Sequence, residues 1–421
     1  MFLRLRHAIL ISLVFSRCFG VICEQEGVVL DCLDLQTALE RAYAFSPEIS
    51  MAILDVDIKH AEEWQSSLLP NPVATVEIDG PDTIVANRRG SNGQEVFCGL
   101  SQLIELGGKR EYRRQEAAFQ SSLAYVEWDR IRLNIRREVT LAMVELAAAQ
   151  EHVKAADQQY QLTHQVFIAL AHQAETGKIP PLQRDKAAMK ESVAALAVRR
   201  AESLQVALRK KLASFWGCSS ADFKEVCYPL FELQPIPPLS LLLNRQHNGP
   251  DVLKWASLIS AAHEELALER ARRIPDITVT AGYVGGGGDG NSWTLGVSMP
   301  LPVFDRNQGN IQKTDLHLRK LERERDKDAL QLQIDLTLAY EELCLAYRES
   351  IAFRENIAVS ARVAFDAVKE GYAQGKSGYL ELLDAQRTLF EVQDQYVHAL
   401  EEYHRKKTDV ERLSAYNFVG D

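Results

Sequence analysis

Residues 109–178 read KREYRRQEAAFQSSLAYVEWDRIRLNIRREVTLAMVELAAAQEHVKAADQQYQLTHQVFIALAHQAETGK, and the 67 positions from Lys109 to Glu175 contain neither proline nor glycine. The segment predicts one continuous α-helix, which at 1.5 Å per residue is about 100 Å long. Gly177 marks its end, because glycine adopts the positive φ that caps a helix C-terminus. A helix this long cannot be enclosed in a compact monomer, so it must pack against neighbouring helices.

A second segment without proline or glycine runs from about Gln312 to Glu370, and it too ends at a glycine, Gly375. Gly177 and Gly375 lie 198 positions apart. A returning helix is predicted after each glycine, over about Leu182–Phe215 and Tyr379–Leu413, so each half forms a long helical hairpin. Apolar residues recur at heptad-like spacing, which indicates helix–helix packing.

Short segments with strand character precede both long helices. Polar and apolar residues alternate in WTLGVSM at 293–299, which suits a strand with two different faces. Each pair of segments brackets a loop rich in glycine or asparagine, and Gly99 lies 197 positions before Gly296. The four predicted strands are Val73–Ile78, Glu95–Leu103, Ile277–Val284 and Trp293–Leu301.

These matched offsets predict an internal repeat, with residues 21–245 as the first copy and residues 246–421 as the second, each a strand pair plus a long helical hairpin. The fold class is mainly α with a small β part. Four strands cannot close a barrel, whereas three subunits would supply twelve strands, which is within the size range of outer-membrane barrels. Several subunits together could therefore share one barrel, which would be 12-stranded if there are three of them.

The first twenty residues predict a signal peptide. Arg4 and Arg6 precede the short apolar run Ala8–Phe15, and Gly20 offers a small residue for cleavage. Cleavage after Gly20 removes three arginines and changes the formal net charge from −10 to −13. The apolar run is too short to span a bilayer, and no apolar run of membrane-spanning length follows it.

Export makes disulfides available to the seven cysteines. Two local pairs are candidates, Cys23 with Cys32 and Cys218 with Cys227, and unpaired thiols are an equal alternative for each. No cysteine spacing is of the zinc-binding type. Cys23 also leaves an N-terminal lipid anchor open, although Ile22 before it is not the small residue that lipoprotein signals use.

Composition and motifs exclude several function classes. The negative net charge argues against nucleic-acid binding. The glycine run at 285–288 lacks the Lys-Ser/Thr of a phosphate-binding loop, and neither Gly-x-Ser-x-Gly nor His-Glu-x-x-His occurs. Ten histidines are scattered, and His164 and His172 share a helix face but are expected to be solvated. We expect no enzyme, no cofactor and no specific metal site.

Several motifs occur in the same order as the predicted elements. They are LLPNP at 68–72, GLSQLIELGGKR at 99–110, GVSMPLPVF at 296–304, YAQG at 372–375 and LELLDAQ at 380–386. Together they resemble the TolC-like outer-membrane efflux family, and the junction motifs resemble its heavy-metal cation efflux branch. The resemblance extends from about Leu35 to Tyr416.

The resemblance implies a homotrimer in the outer membrane of a Gram-negative cell, in contact with outer-membrane lipid and with its helical barrel in the periplasm. It implies a passive duct that meets a periplasmic adaptor protein and, through it, an RND-type inner-membrane pump. Metal cations are the expected substrates. The alternatives are a duct for organic compounds and an exported coiled-coil scaffold without a pore.

Seven residues in two groups form the expected site, an acidic entrance and the hairpin tips. Glu381 and Asp384 match acidic residues that narrow the family's periplasmic entrance, and threefold symmetry would turn each into a cation-selective ring. The alternative is that both are ordinary solvated acids.

Tyr372 matches a tyrosine that helps to hold the closed state. The position of its family partner is Gln183 here, with Asp185 two residues on. Gly177 and Gly375 mark the hairpin tips where the adaptor docks in this family, and we expect the second-half hairpin to move on opening.

Overall fold

A computed structural model describes residues 30–79, 95–177, 179–285, 291–416 and residue 418. The predicted signal peptide, Cys23 and most of the two loops between predicted strands lie outside these residues. Helices account for most of the described chain and strands for a small part, which confirms the predicted fold class. The repeat boundaries and the trimeric barrel stay predictions.

The first half begins with a short strand and two helices, and a strand pair and a helical hairpin follow. Its elements are β1 (Leu30–Asp34), α1 (Leu35–Phe45), α2 (Pro47–Ser66), β2 (Val73–Asp79), β3 (Glu95–Ile104), α3 (Lys109–Glu175), α4 (Pro181–Ser214) and β4 (Phe223–Cys227).

The second half has a similar series. Its elements are α5 (Leu239–Gln246), α6 (Pro250–Ala271), β5 (Ile277–Gly285), β6 (Ser292–Ser298), α7 (Gln308–Ala352), a π-helical segment (Phe353–Ile357), α8 (Ala358–Ala373) and α9 (Tyr379–Ser414).

The predicted long helices exist, with two differences in the second half. α7 begins at Gln308, four residues before the predicted start, and the π-helical segment separates it from α8. Phe353, at the start of that segment, stacks on Tyr396 of α9 with ring centroids 6.2 Å apart. β6 ends at Ser298 rather than Leu301, because Pro300 and its neighbour Pro302 have no N–H to donate to a strand partner.

The chain divides into two compact units, and each draws segments from both halves. One unit contains the described parts of residues 30–51, 130–249 and 332–418. Its core collects fully buried residues of α3, α4 and α9, among them Met143, Leu212 and Leu400. The other unit contains the described parts of residues 52–129 and 250–331.

A disulfide joins two strands of the first unit, and it shows that both predicted local cysteine pairs are wrong. β1 pairs with β4 in parallel, and Cys32 is bonded to Cys227 with 5.8 Å between their Cα atoms. That separation is typical of disulfides. The two cysteines are 195 positions apart, so proximity along the sequence could not indicate the pairing. Cys218 and Cys23 are therefore left without their expected partners.

The second unit contains an antiparallel sheet in the order β2-β3-β5-β6. The hairpins β2–β3 and β5–β6 meet through β3 and β5, which pair from Val96 opposite Gly285 to Ile104 opposite Ile277. None of the described helices is long and apolar enough to cross a membrane.

Polar contacts and two glycines hold the connection between β3 and α3. Asp276 accepts hydrogen bonds from Lys109 Nζ (2.7 Å) and from the Leu106 N–H (2.9 Å). Gly107 has φ +74°, and a Cβ there would stand 2.9 Å from Ile274 Cδ1. Gly108 has the same φ, so the double glycine of the GLSQLIELGGKR motif meets a backbone requirement.

Candidate functional site

The second-half hairpin tip is a glycine-capped turn. The Gly375 N–H donates to the Tyr372 carbonyl (3.0 Å), and the Lys376 N–H donates to the Gly371 carbonyl (2.8 Å), which is the Schellman arrangement. Gly375 has φ +72°. A Cβ on Gly371 would stand 2.6 Å from Ser377 Oγ, so a side chain there would require the Ser377 hydroxyl to move. The positive φ of Gly375 is therefore the stronger requirement for glycine at this tip.

Glu381 and Asp384 lie in the first two turns of α9, one helical turn apart, and both are exposed. Glu381 Oε2 accepts a hydrogen bond from the Gly378 N–H at 3.1 Å, so this carboxylate also caps its own helix. Arg387 follows Asp384 by three positions, and its pKa is raised mainly by its hydrogen bond to Glu391 and, to a smaller extent, by the charge of Asp384. Both carboxylates are accessible to solutes, and their entrance role stays a prediction.

The first-half tip has the same cap and a different helix start. Gly177 has φ +71°, and its N–H donates to the Ala174 carbonyl at 3.0 Å. α4 begins at Pro181, and the exposed Gln183 lies in its first turn. Asp185 accepts hydrogen bonds from the Arg184 guanidinium at 2.8 and 3.0 Å. Both bonds go to Asp185 Oδ1, and the side chain is 60% exposed.

Tyr372 lies in the last two turns of α8 and is 39% exposed. Its carbonyl is part of the glycine-capped turn described above. The closed-state lock between Tyr372 and the Gln183–Asp185 region stays a prediction.

The sheet of the second unit has one strongly apolar face. The strand register places the following residues on it: Ala74, Val76 and Ile78 of β2, Val96, Cys98, Leu100 and Ile104 of β3, Ile277, Val279, Ala281 and Tyr283 of β5, and Trp293, Leu295 and Val297 of β6. Gln102 is the polar exception, and its amide donates to the Pro70 carbonyl at 3.0 Å. Most of the large side chains on this face are exposed, Trp293 to 85%.

The opposite face of the sheet is mixed and richer in small and polar residues. It carries Thr75 and Glu77 of β2, Gly99 and Ser101 of β3, Thr278, Thr280 and Gly282 of β5, and Thr294, Gly296 and Ser298 of β6, together with Val73, Phe97, Leu103 and Val284. The ring of Phe97 lies directly over Gly99 and Gly282. A sheet with these two faces suits a boundary between an apolar medium and water.

Among the described residues, one group of three histidine and acidic side chains could hold a metal ion. His152 of α3 and Asp394 and His398 of α9 each offer a ligand atom within 4.8 Å of the others. The pair considered in the sequence is arranged otherwise: His164 Nδ1 lies 2.6 Å from Glu191 Oε1, and His172 is exposed near the end of α3. The group of His152, Asp394 and His398 cannot be recognised from spacing along the chain, because its members come from two helices.

Comparisons of sequence and of structure with known proteins point to the same kind of protein. The profile of the family described as "Outer membrane efflux protein" matches residues 241–415. The cobalt-zinc-cadmium resistance protein CzcC of Cupriavidus metallidurans is 28% identical over 382 residues, which cover 90% of each chain. Residues 241–415 thus match the outer membrane efflux family, and the chain as a whole resembles its members.

One further sequence similarity and one structural similarity support the same resemblance. The solvent efflux pump outer membrane protein SrpC of Pseudomonas putida is 27% identical over 177 residues, which cover 38% of this chain and 35% of SrpC. A crystal structure of CusC shares the fold with a TM-score of 0.75 and 14% identity, over 94% of this chain and 96% of CusC. The chain is therefore TolC-like in fold, resembles the heavy-metal efflux branch, and is located in the outer membrane of Gram-negative bacteria.

Proposed function

We propose that this protein is the outer-membrane channel subunit of a tripartite efflux system. It carries metal cations to the exterior from an RND-type inner-membrane pump and a periplasmic adaptor. The observation that carries the channel proposal is the division of the sheet into an apolar face and a more polar face. The apolar face suits outer-membrane lipid, and the other face suits a water-filled duct.

The edges of the sheet support assembly into a homotrimer. Among the described strands, β2 pairs only with β3 and β6 pairs only with β5, so each end strand has a row of backbone groups on its outer side. Pairing β2 of one subunit with β6 of the next satisfies both rows. Three subunits then form a closed barrel of twelve strands, and closure removes the edges.

Apolar stripes on the helices favour the same assembly. Exposed residues of α4 recur at spacings of seven, four and three, and those of α7 at four, four and seven, as in helices that pack side by side. They are Leu182, Met189, Val193 and Leu196 of α4 and Leu330, Ile334, Leu338 and Leu345 of α7. Neighbouring subunits would cover these stripes in an α-helical barrel.

The hairpin tips are the proposed periplasmic end of the duct. Glu381 and Asp384 are exposed on α9 next to the turn at Gly375, where three copies would form two acidic rings. The turns at Gly177 and Gly375 form the adaptor-docking tips. Since Glu381 also caps α9, movement of the second-half hairpin would carry the acidic ring with it.

The similarity to CzcC over nine-tenths of both chains favours cobalt, zinc and cadmium ions as substrates. A duct for organic compounds is the second candidate, favoured by the partial similarity to SrpC. Specificity in either case would lie mainly with the pump and the adaptor.

Conductance and a deletion strain test the proposal. The purified protein should migrate as a heat-resistant trimer and conduct ions in planar bilayers, and a folded trimer without conductance would instead indicate a scaffold. The deletion strain should become sensitive to cobalt, zinc and cadmium. Unchanged tolerance to these ions together with new sensitivity to organic solvents would replace the metal assignment by the organic one.

A further inference from the structure

Two histidines and one aspartate converge between α3 and α9. His152 Nδ1 lies 3.0 Å from Asp394 Oδ1, and His398 Nε2 lies 3.8 Å from Asp394 Oδ2. The two imidazole rings are in contact, with centroids 5.0 Å apart. Asp394 and His398 are one helical turn apart on α9, which places both on the face that His152 approaches.

These distances are close to those of a metal site. A tetrahedral zinc ion with ligand bonds of about 2.1 Å sets its ligand atoms about 3.4 Å apart. One ligand atom from each of the three residues already lies within 4.8 Å of the others, so small side-chain rotations suffice to close the site. Two imidazoles and one carboxylate also leave coordination positions for water.

A fourth residue supports one of the ligands from outside. His398 Nδ1 lies 3.7 Å from Glu401 Oε2, on the opposite side of the ring from Asp394. Metal-ligating histidines generally donate their second ring N–H to a carboxylate or carbonyl, which orients the ring and increases its basicity. Glu401 is also held by Arg405 at 3.1 Å, so its position is fixed independently of His398.

We propose that His152, Asp394 and His398 bind a divalent transition-metal ion, with Glu401 orienting His398. Nitrogen and carboxylate donors without sulfur select zinc, cobalt, nickel or copper(II) over silver or copper(I), and imidazole disfavours magnesium and calcium. The side chains of His152, Asp394 and His398 are 22%, 58% and 62% exposed, so an ion reaches the site directly from solvent.

Because of the position of the site, a bound ion would restrain the movement of one hairpin relative to the other. α3 belongs to the first-half hairpin and α9 to the second-half hairpin. A bound ion would tie these two helices together near the middle of α9. This consequence for opening rests on the proposed channel function, whereas binding itself does not.

Cobalt(II) is a suitable probe because its visible absorption reports imidazole and carboxylate coordination. The full-length mature protein, purified without a polyhistidine tag and treated with a chelator, should bind one Co²⁺ per subunit. H152N, D394N and H398N should each weaken binding by at least about tenfold, and E401Q by a similar or smaller factor. Zn²⁺ should displace the bound Co²⁺.

H164N is the matched control, because His164 also makes an interhelical contact with a carboxylate but belongs to no three-residue ligand group among the described residues. Binding should be unchanged in H164N. Binding by the wild-type protein that is no stronger than in the double variant H152N/H398N would overturn the proposal. Conductance of the same proteins separates this result from the channel function, since loss of Co²⁺ binding with normal conductance leaves the duct intact.

Discussion

The ring of Phe97 on β3 lies against the backbone of Gly282 on β5, so closely that a Cβ at position 282 would overlap the ring. Gly282→Ala should therefore displace Phe97 and destabilise the protein by about 1–3 kcal/mol, the usual cost of overpacking. Thermal unfolding of the purified protein measures the loss. Gly296→Ala is the control, because the nearest atom to its new Cβ is Thr280 Cβ at 4.0 Å.

A double variant tests whether the ring is the cause. Phe97→Ala removes the two nearest atoms that a Cβ at Gly282 would meet and leaves the Cys98 carbonyl oxygen at 3.2 Å, so Gly282→Ala should cost less in the Phe97→Ala background than in the wild type. If the two changes were simply additive, the contact would not be the reason for the glycine.

The disulfide between Cys32 and Cys227 should contribute strongly to stability. It closes a loop across 195 positions, for which the chain-entropy account predicts about 5 kcal/mol. Cys32→Ser, Cys227→Ser and the double change should lower the melting temperature equally, and reductant should have no further effect. Cys344→Ser keeps the disulfide and should remain sensitive to reductant, and equal sensitivity in Cys32→Ser would contradict the pairing.

His404 of α9 should make stability depend on pH. It is 3% exposed, its Nε2 donates to the Leu230 carbonyl (2.9 Å), and Tyr228 donates to its Nδ1 (3.1 Å). Burial, helped by the charge of Lys407, lowers the pKa of His404 to about 4. The unfolded chain takes up this proton below about pH 6.5, so the free energy of unfolding falls by about 1.4 kcal/mol per pH unit from about 6.5 to about 4, and this contribution is constant above that range.

His404→Gln should remove that slope while retaining an amide donor near Leu230. Burial raises the pKa of Glu411, which contributes a slope of the opposite sign, but Glu411 is present in both proteins. The difference in stability between wild type and H404Q is therefore measured by thermal unfolding at about pH 7 and again at about pH 5, and the two differences are compared. An identical difference at both values would show that His404 is not the titrating group.

Charge neutralisation tests the proposed entrance. Glu381→Gln retains an oxygen that can accept from Gly378, so α9 keeps its cap while the charge is lost. E381Q, D384N and the double variant should lower cation selectivity, measured as the reversal potential under a salt gradient in planar bilayers. Glu391→Gln is the control, because Glu391 is an exposed acid paired with Arg387 on the same helix. Unchanged selectivity in the double variant would remove the ring assignment.

The long helices were predictable because their signal is local. α3 runs from Lys109 to Glu175, as the absence of proline and glycine indicates, and Gly177 and Gly375 have the positive φ that a helix cap needs. The predicted strand ends were less accurate near prolines, since β6 ends before Pro300. Assigning residues to the apolar face of the sheet required the strand register, although the alternation along Trp293–Met299 already indicated two different faces.

Features that join distant segments could not be predicted. The pairing of Cys32 with Cys227 depends on a parallel strand pair that no local pattern indicates. His152 and His398 lie on different helices, and neither has an unusual neighbour in sequence. At the tips, the engagement of Glu381 by Gly378 and of Asp185 by Arg184 became visible only with side-chain positions.

The parallel pairing of β1 with β4 also has a consequence for how the protein matures. β1 is the first described element of the chain, yet its partner strand and the cysteine that bonds it come about two hundred residues later. The bond cannot form until Cys227 has reached the same compartment as Cys32, so in an exported chain it forms only after the whole first helical hairpin has been translocated. A bond from Cys32 to any other thiol before that point would have to be exchanged before β1 could pair with β4.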